Sequence, residues 1–293
     1  MKLNIPALAE KYNRGEPLVM VTAYDYPSAR TAQAAGVDMV LVGDSGAQMV
    51  LGYQATVSMT EDEMLMLTKA VNRGLSDPLL VADLVFGSYE ESDAQAVRTA
   101  VRLVKEGGAD AVKLERGNAT SAARARAITQ AGIPVVGHIG LTPQTAALAG
   151  GNRAQGRSAQ AALQVAQEMF ELERAGCFAI VLEAVPATVA DQLARYSQIP
   201  LIGIGAGAGT AGQVMVYHDI LGIGQRSQAR FVKPYAELQA QMTDALARYA
   251  REVRERRYPA QEHCYIIAPE ELHSFSRGLE ALADGPAETA ESA

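Results

Sequence analysis

Cysteine is scarce in this chain, and that scarcity excludes several classes. The 293 residues include two, Cys177 and Cys264. No CxxC or mixed Cys/His spacing is present, so neither a zinc site nor a disulfide framework is expected. Cys177 follows "RAG" at the start of an apolar run and reads as a small buried side chain. Long apolar stretches are also missing. Nothing approaches the ~18 consecutive apolar residues of a membrane span, and "MKLNIPALAEKYNRGEP" lacks the apolar segment of a secretory signal. A cytoplasmic protein with reduced thiols is expected. Positive charge is not in excess. The net charge of −7 offers no basic face for phosphate backbones, so nucleic acid is not an expected partner. It leaves room for an anionic substrate, because a bound cation can reverse the local sign.

What is present has the balance of a globular protein, 48% apolar and 20% charged. Eight short apolar runs recur at 18–23, 38–43, 79–83, 111–115, 133–140, 178–185, 199–207 and 213–222. They are rich in Val, Ile and Leu and mostly do not alternate with polar residues, as in strands buried on both faces. Amphipathic helical segments lie between them. Val97, Ala100, Val101 and Val104 share one face of 93–106. Ala162, Val165, Ala166, Met169 and Leu172 share one of 158–175, with Ser158 as N-cap. "AAGVD", "EGGAD", "QAGIP" and "RAGCF" each put a glycine where a helix must stop.

Strands alternating with helices predict a (β/α)₈ barrel. The rival is an open doubly wound sheet, but no Gly-rich dinucleotide fingerprint follows the first strand. One barrel domain is expected over 1–263, including a helix at 234–256. That helix carries a stripe of Leu238, Met242, Leu246, Tyr249 and Val253, which would pack on the barrel or meet another subunit. Residues 264–293 form an extension. Its last part, "EALADGPAETAESA" from 280, is expected to be disordered.

The strand ends carry the chemistry. Asp44 and Ser45 follow the second run, Asp83 closes the third, Lys113 and Glu115 end the fourth, His138 lies in the fifth and Glu183 in the sixth. In a barrel those ends converge on one mouth. Residues two apart in a strand point the same way, so Lys113 and Glu115 share a face. Buried charges need partners. One solution is a structural ion-pair layer; the other is a metal held by several of the carboxylates. An all-carboxylate set favours Mg²⁺, with Mn²⁺ second. Such an ion could chelate a 2-oxo acid and stabilise its enolate. Glu183, in the apolar setting "VLEAVP", is the candidate base. Lys113 would hold a substrate oxygen. His138 would hydrogen-bond there or serve as a satisfied core residue.

These residues stand in blocks that resemble one family, ketopantoate hydroxymethyltransferase. The blocks include "VTAYDYPSA", "VDMVLVGDS", "GADAVKLE", "IPVVGHIGLTPQ", "VLEAVP", "IPLIGIGAG" and "GQVMVYHDILGI", and the resemblance runs from about 18 to about 263. It implies a barrel of the phosphoenolpyruvate mutase/isocitrate lyase type. It implies hydroxymethyl transfer from 5,10-methylenetetrahydrofolate to 3-methyl-2-oxobutanoate, giving 2-dehydropantoate on the way to pantothenate. It implies Mg²⁺ among Asp44, Asp83 and Glu115, substrate contacts from Ser45 and Lys113, Glu183 as proton acceptor, and a homo-oligomer, commonly a decamer. The chain departs from the family pattern at Gly46, Ala47, Gln48, Val85, Arg116 and Ala184. These changes surround the ionisable set, so a paralogue acting on a different 2-oxo acid is the main alternative.

Three rival activities fit the residues less well. A carbon–carbon lyase of the same superfamily would carry a cysteine after the fourth strand, and 116–126 has none. A Schiff-base aldolase would need Lys113 neutral, which flanking carboxylates oppose. A non-catalytic 2-oxo acid binding protein would have no use for Glu183.

Overall fold

The apolar runs form eight parallel strands that close on themselves in sequence order, the last pairing with the first. A computed structural model describes residues 2–149, 151, 153–224 and 229–285. Helix α1 (Ile5–Asn13) precedes β1 (Leu18–Thr22), α2 (Tyr26–Ala34), β2 (Met39–Val42), α3 (Gly46–Met49) and α4 (Glu61–Gly74). Then come β3 (Leu79–Asp83), α5 (Asp93–Lys105), β4 (Ala111–Lys113), α6 (Ala119–Gln130), β5 (Val135–Gly140) and α7 (Ala159–Arg174). The barrel ends with β6 (Ala179–Glu183), α8 (Ala187–Tyr196), β7 (Leu201–Ile204), β8 (Gly212–Met215) and α9 (Tyr217–Leu221).

Alternation sorts each strand between two apolar layers. Met39, Leu41, Leu79, Val81, Val136 and Val181 belong to one buried cluster, while their neighbours Val40, Val42, Leu80, Val135, Ile180 and Leu182 belong to a second that includes residues from the helices. Helix starts follow their caps. Ser158 Oγ accepts the Ala161 N–H at 3.2 Å, and Thr60 with Glu63 forms a capping box ahead of α4. The predicted stop glycines Gly36, Gly108, Gly132 and Gly176 all take φ between 72° and 92°, where a side chain would be strained.

Three boundaries stand apart from the sequence reading. The eighth run is a strand only to Met215; its second half is α9, begun where Tyr217 N–H donates to Thr22 Oγ1 at 2.9 Å and ended by left-handed Gly222. At the C-terminus the chain divides into two compact units, residues 1–238 and 239–293. The helix expected inside the barrel domain is α10 (Leu238–Arg254), and it falls almost wholly in the second unit. There Met242, Leu246, Tyr249 and Val253 are exposed. Helix α11 (Pro269–Ala283) continues past residue 280, where the sequence predicts disorder. Pro269 at its start and Glu270 and Glu271 in its first turn favour it. Residues 286–293 of that expected segment lie outside the described residues.

Candidate active site

Strand register gathers the predicted residues. β3 and β4 pair Asp83 with Lys113, and Lys113 Nζ lies 3.0 Å from Asp83 Oδ1. Asp44, two residues beyond β2, donates its backbone N–H to Asp83 Oδ2 at 3.0 Å. Glu115, two residues beyond Lys113, reaches His138 on the neighbouring strand, with Oε1 3.3 Å from Nδ1. β6 places Glu183 opposite Gly140, and its Oε2 lies 3.1 Å from His138 Nε2. Asp44, Ser45, Asp83, Lys113, Glu115, His138 and Glu183 all line one cavity of about 950 Å³ including its open mouth. Every sequence-predicted site residue is therefore in one place.

Burial and mutual charge set the protonation. Burial, then repulsion by Asp83 and Glu115, lifts Asp44 to about 7. Burial also raises Asp83, against the pull of Lys113. For Lys113 burial works toward the neutral amine, yet Asp83, Glu115 and Asp44 outweigh it and the ammonium is favoured. That disfavours the Schiff-base alternative. Burial and Lys113 press His138 downward, but hydrogen bonds to Glu115 and Glu183 lift it to about 9. A carboxylate near each nitrogen favours the imidazolium, and the Lys113 ammonium, 3.3 Å from Nδ1, opposes it. Burial works to raise Glu115, but His138 and Lys113 hold it below the usual range. The wholly apolar setting expected around Glu183 is absent, because His138 bonds it directly.

Three further residues belong to the site and carry no clear signal in the sequence. Buried Gln144 donates its backbone N–H to Glu115 Oε2 at 3.0 Å and its side-chain Nε2 to Asp44 Oδ2 at 2.9 Å and to Leu84 O at 3.0 Å. Tyr89 OH donates to Gln144 Oε1 at 2.8 Å. Tyr24 OH lies 2.8 Å from Ser45 Oγ. Neutral residues outside the apolar runs carry no desolvation signal, so only the quoted block "IPVVGHIGLTPQ" pointed toward Gln144.

Most departures from the family pattern do not reach the cavity. Gln48 does line it, with its amide donating to Gln54 O at 3.0 Å. Arg116 instead lines a separate polar hollow with Thr142, Gln155, Gln164 and Glu168. Val85 is buried elsewhere. Gly46 is needed where it stands, because a Cβ there would come within 2.8 Å of the Tyr24 ring.

Among the described residues, no three His, Cys, Asp or Glu side chains are arranged to hold one ion jointly. The expected three-carboxylate clasp is not closed, because protein donors occupy Asp44 Oδ2, Asp83 Oδ2 and both Glu115 oxygens. Asp83 Oδ1 is buried without a well-formed hydrogen bond. The donor set still fits a hard ion that keeps several waters and takes one or two carboxylates directly.

Comparison with known proteins agrees with the geometry. A model of the ketopantoate hydroxymethyltransferase family matches residues 2–261. A 3-methyl-2-oxobutanoate hydroxymethyltransferase of Moorella thermoacetica is 51% identical over 264 residues, covering 90% of this chain and 98% of that one. A mitochondrial one of Arabidopsis thaliana is 46% identical over 287 residues, covering 96% and 83%. Among solved structures, 2,3-dimethylmalate lyase, a phosphoenolpyruvate mutase/isocitrate lyase superfamily member, superposes with a TM-score of 0.55 at 16% identity, covering 97% and 99%.

Proposed function

The chain belongs to the ketopantoate hydroxymethyltransferase family, and from that membership we propose how its cavity works. It is a hydroxymethyltransferase that converts 3-methyl-2-oxobutanoate to 2-dehydropantoate, with 5,10-methylenetetrahydrofolate as the one-carbon donor. The observation that carries this reading is the convergence of Asp44, Asp83, Lys113, Glu115, His138 and Glu183 on one cavity. The substrate loses a proton from C3 and gains a carbon there. Water supplies the hydroxyl oxygen as the donor's methylene leaves its nitrogens.

Glu183 takes the C3 proton. His138 bonds one of its oxygens, which fixes the carboxylate and leaves the other oxygen for substrate. A positioned base of this kind contributes ~10²–10⁴ in rate. Lys113 stays cationic beside the substrate oxygens. Tyr24 OH lies 2.8 Å from Ser45 Oγ, and with Tyr24 as the donor of that bond the Ser45 hydroxyl would be free to donate to the substrate carboxylate. Asp44 and Asp83 would hold Mg²⁺, with Mn²⁺ a substitute, Asp83 through the oxygen that lies 3.0 Å from Lys113 Nζ, and Glu115 would act through water. The ion would neutralise the acid's charge and stabilise negative charge developing on the keto oxygen.

The family's homo-oligomerisation would cover the exposed stripe of Met242, Leu246, Tyr249 and Val253. A reducing compartment, the cytoplasm, suits two unpaired thiols. Among the described residues no helix is long and apolar enough to cross a membrane. The test is a screen of 2-oxo acids with methylenetetrahydrofolate. 3-Methyl-2-oxobutanoate is expected to give the highest kcat/KM. A bulkier acid preferred tenfold would move the assignment to a paralogue, with Gln48 the residue to examine.

A further inference from the structure

The cavity has two unlike halves. One holds the acids, Lys113 and His138. The other is walled by Ile204, Val214, Met215 and Phe231 and carries a single charged side chain, Asp219. Asp219 lies in the first turn of α9. The bland account of such an acid is charge complementarity with the helix start. Here that account is thin. The helix has five residues, no side-chain hydrogen bond caps it, and among the described residues the Asp219 carboxylate has no hydrogen bond or ion pair. It is half-buried, and burial alone raises its pKa. Asp44, Asp83, Glu115 and Glu183 all have protein partners. A carboxylate left without one in a cavity is stabilised when a ligand brings a donor.

Phe231 lines the same cavity as Asp219. Phe231 packs against Gly205, where a Cβ would stand 2.5 Å from the ring Cδ1. Gly205 is left-handed, at φ 64°. The glycine-rich exit of β7, "GIGAG", thus makes room for an aromatic ring facing the cavity.

We propose that Asp219 and Phe231 form the subsite for the ring of the one-carbon donor, with the carboxylate accepting two N–H groups from the 2-amino-4-oxo edge of the pterin. This rests on the folate donor assigned above. The transferable carbon is bonded to N5 of that ring, so the ring must share the cavity with C3 of the oxo acid. The ring's N3–H and 2-amino group form a parallel fork that matches a carboxylate, and its faces suit an apolar, aromatic wall. Charge sorts the two ligands. Asp219 repels the anionic oxo acid, which Lys113 attracts, and accepts only the neutral, N–H-bearing edge.

The experiment compares wild type with Asp219→Asn, which preserves shape, and Asp219→Ala. Tetrahydrofolate binding is measured by calorimetry, and C3 deuterium exchange of 3-methyl-2-oxobutanoate is measured with Mg²⁺ and no folate. Both variants are expected to weaken tetrahydrofolate at least tenfold, with a matching rise in KM for methylenetetrahydrofolate. That loss should exceed any change in KM for the oxo acid severalfold. Tetrahydrofolate affinity within twofold of wild type in both folded variants overturns the subsite. Failure of wild type to exchange overturns the Glu183 reading instead, and the binding measurement still decides the role of Asp219.

Discussion

His138 Nε2 lies 3.1 Å from Glu183 Oε2, while its Nδ1 lies 3.3 Å from Glu115 Oε1. One imidazole ring therefore ties the proposed base to the acid cluster. It orients Glu183 without touching C3. His138→Ala should slow C3 exchange at least tenfold, and His138→Gln, which can still donate to one carboxylate, should recover part of the loss. Equal rates in both variants would mean that the hydrogen bond does not position the base.

Gln144 bridges Asp44 and Glu115. Gln144→Ala leaves Asp44 Oδ2, Leu84 O and Tyr89 OH short of a partner. Buried groups stranded in this way cost about 1–3 kcal/mol, readable by urea denaturation. Mg²⁺ affinity should also fall, by the ~10–100-fold seen when groups that orient metal ligands are removed. Titration with Mn²⁺ followed by electron paramagnetic resonance would measure that.

The acids and base of the site are legible in the sequence because a charge inside an apolar run is costly and must be explained. Asp83 and Lys113 stand out for that reason, and strand register then sets them side by side. Gln144 and Tyr89 are not legible, because a neutral polar residue outside the apolar runs costs nothing until the chain folds over it. The α9 segment reads as strand because "VMVYHDIL" is apolar enough for either period. Helix α11 is obscured by its small, acidic C-terminal flank, although Leu272, Phe275, Leu279 and Leu282 recur at helical spacing.

The stability of the metal-free protein should fall as pH rises. Asp44 is lifted from 3.8 to about 7 and His138 from 6.5 to about 9. Each folded value exceeds its unfolded value. The contribution of each is therefore full below the unfolded value and lost as pH rises through the folded one. For His138 that window is pH 6.5 to 9. In EDTA, Tm should drop across it, and Mg²⁺ should raise Tm more at pH 8 than at pH 6, where protons compete for the carboxylates. A Tm in EDTA that is flat or rising across this window would contradict the charge assignment.

The two thiols should differ sharply. Burial pushes Cys177 up to about 12, while Cys264 is exposed. Because the thiolate is the reactive form, iodoacetamide at pH 8 should modify only Cys264 in the native protein and both residues in denaturant. Peptide mass spectrometry distinguishes these patterns.

The central claim is that Glu183 removes the C3 proton of an oxo acid held by an ion between Asp44 and Asp83. Proton NMR of 3-methyl-2-oxobutanoate in D₂O, without folate, tests it most directly. The C3 signal should fade with wild type and Mg²⁺, fade very slowly in EDTA, and fade ~10²–10⁴-fold more slowly with Glu183→Gln. Exchange at the wild-type rate in Glu183→Gln, or exchange indifferent to EDTA, would contradict the claim.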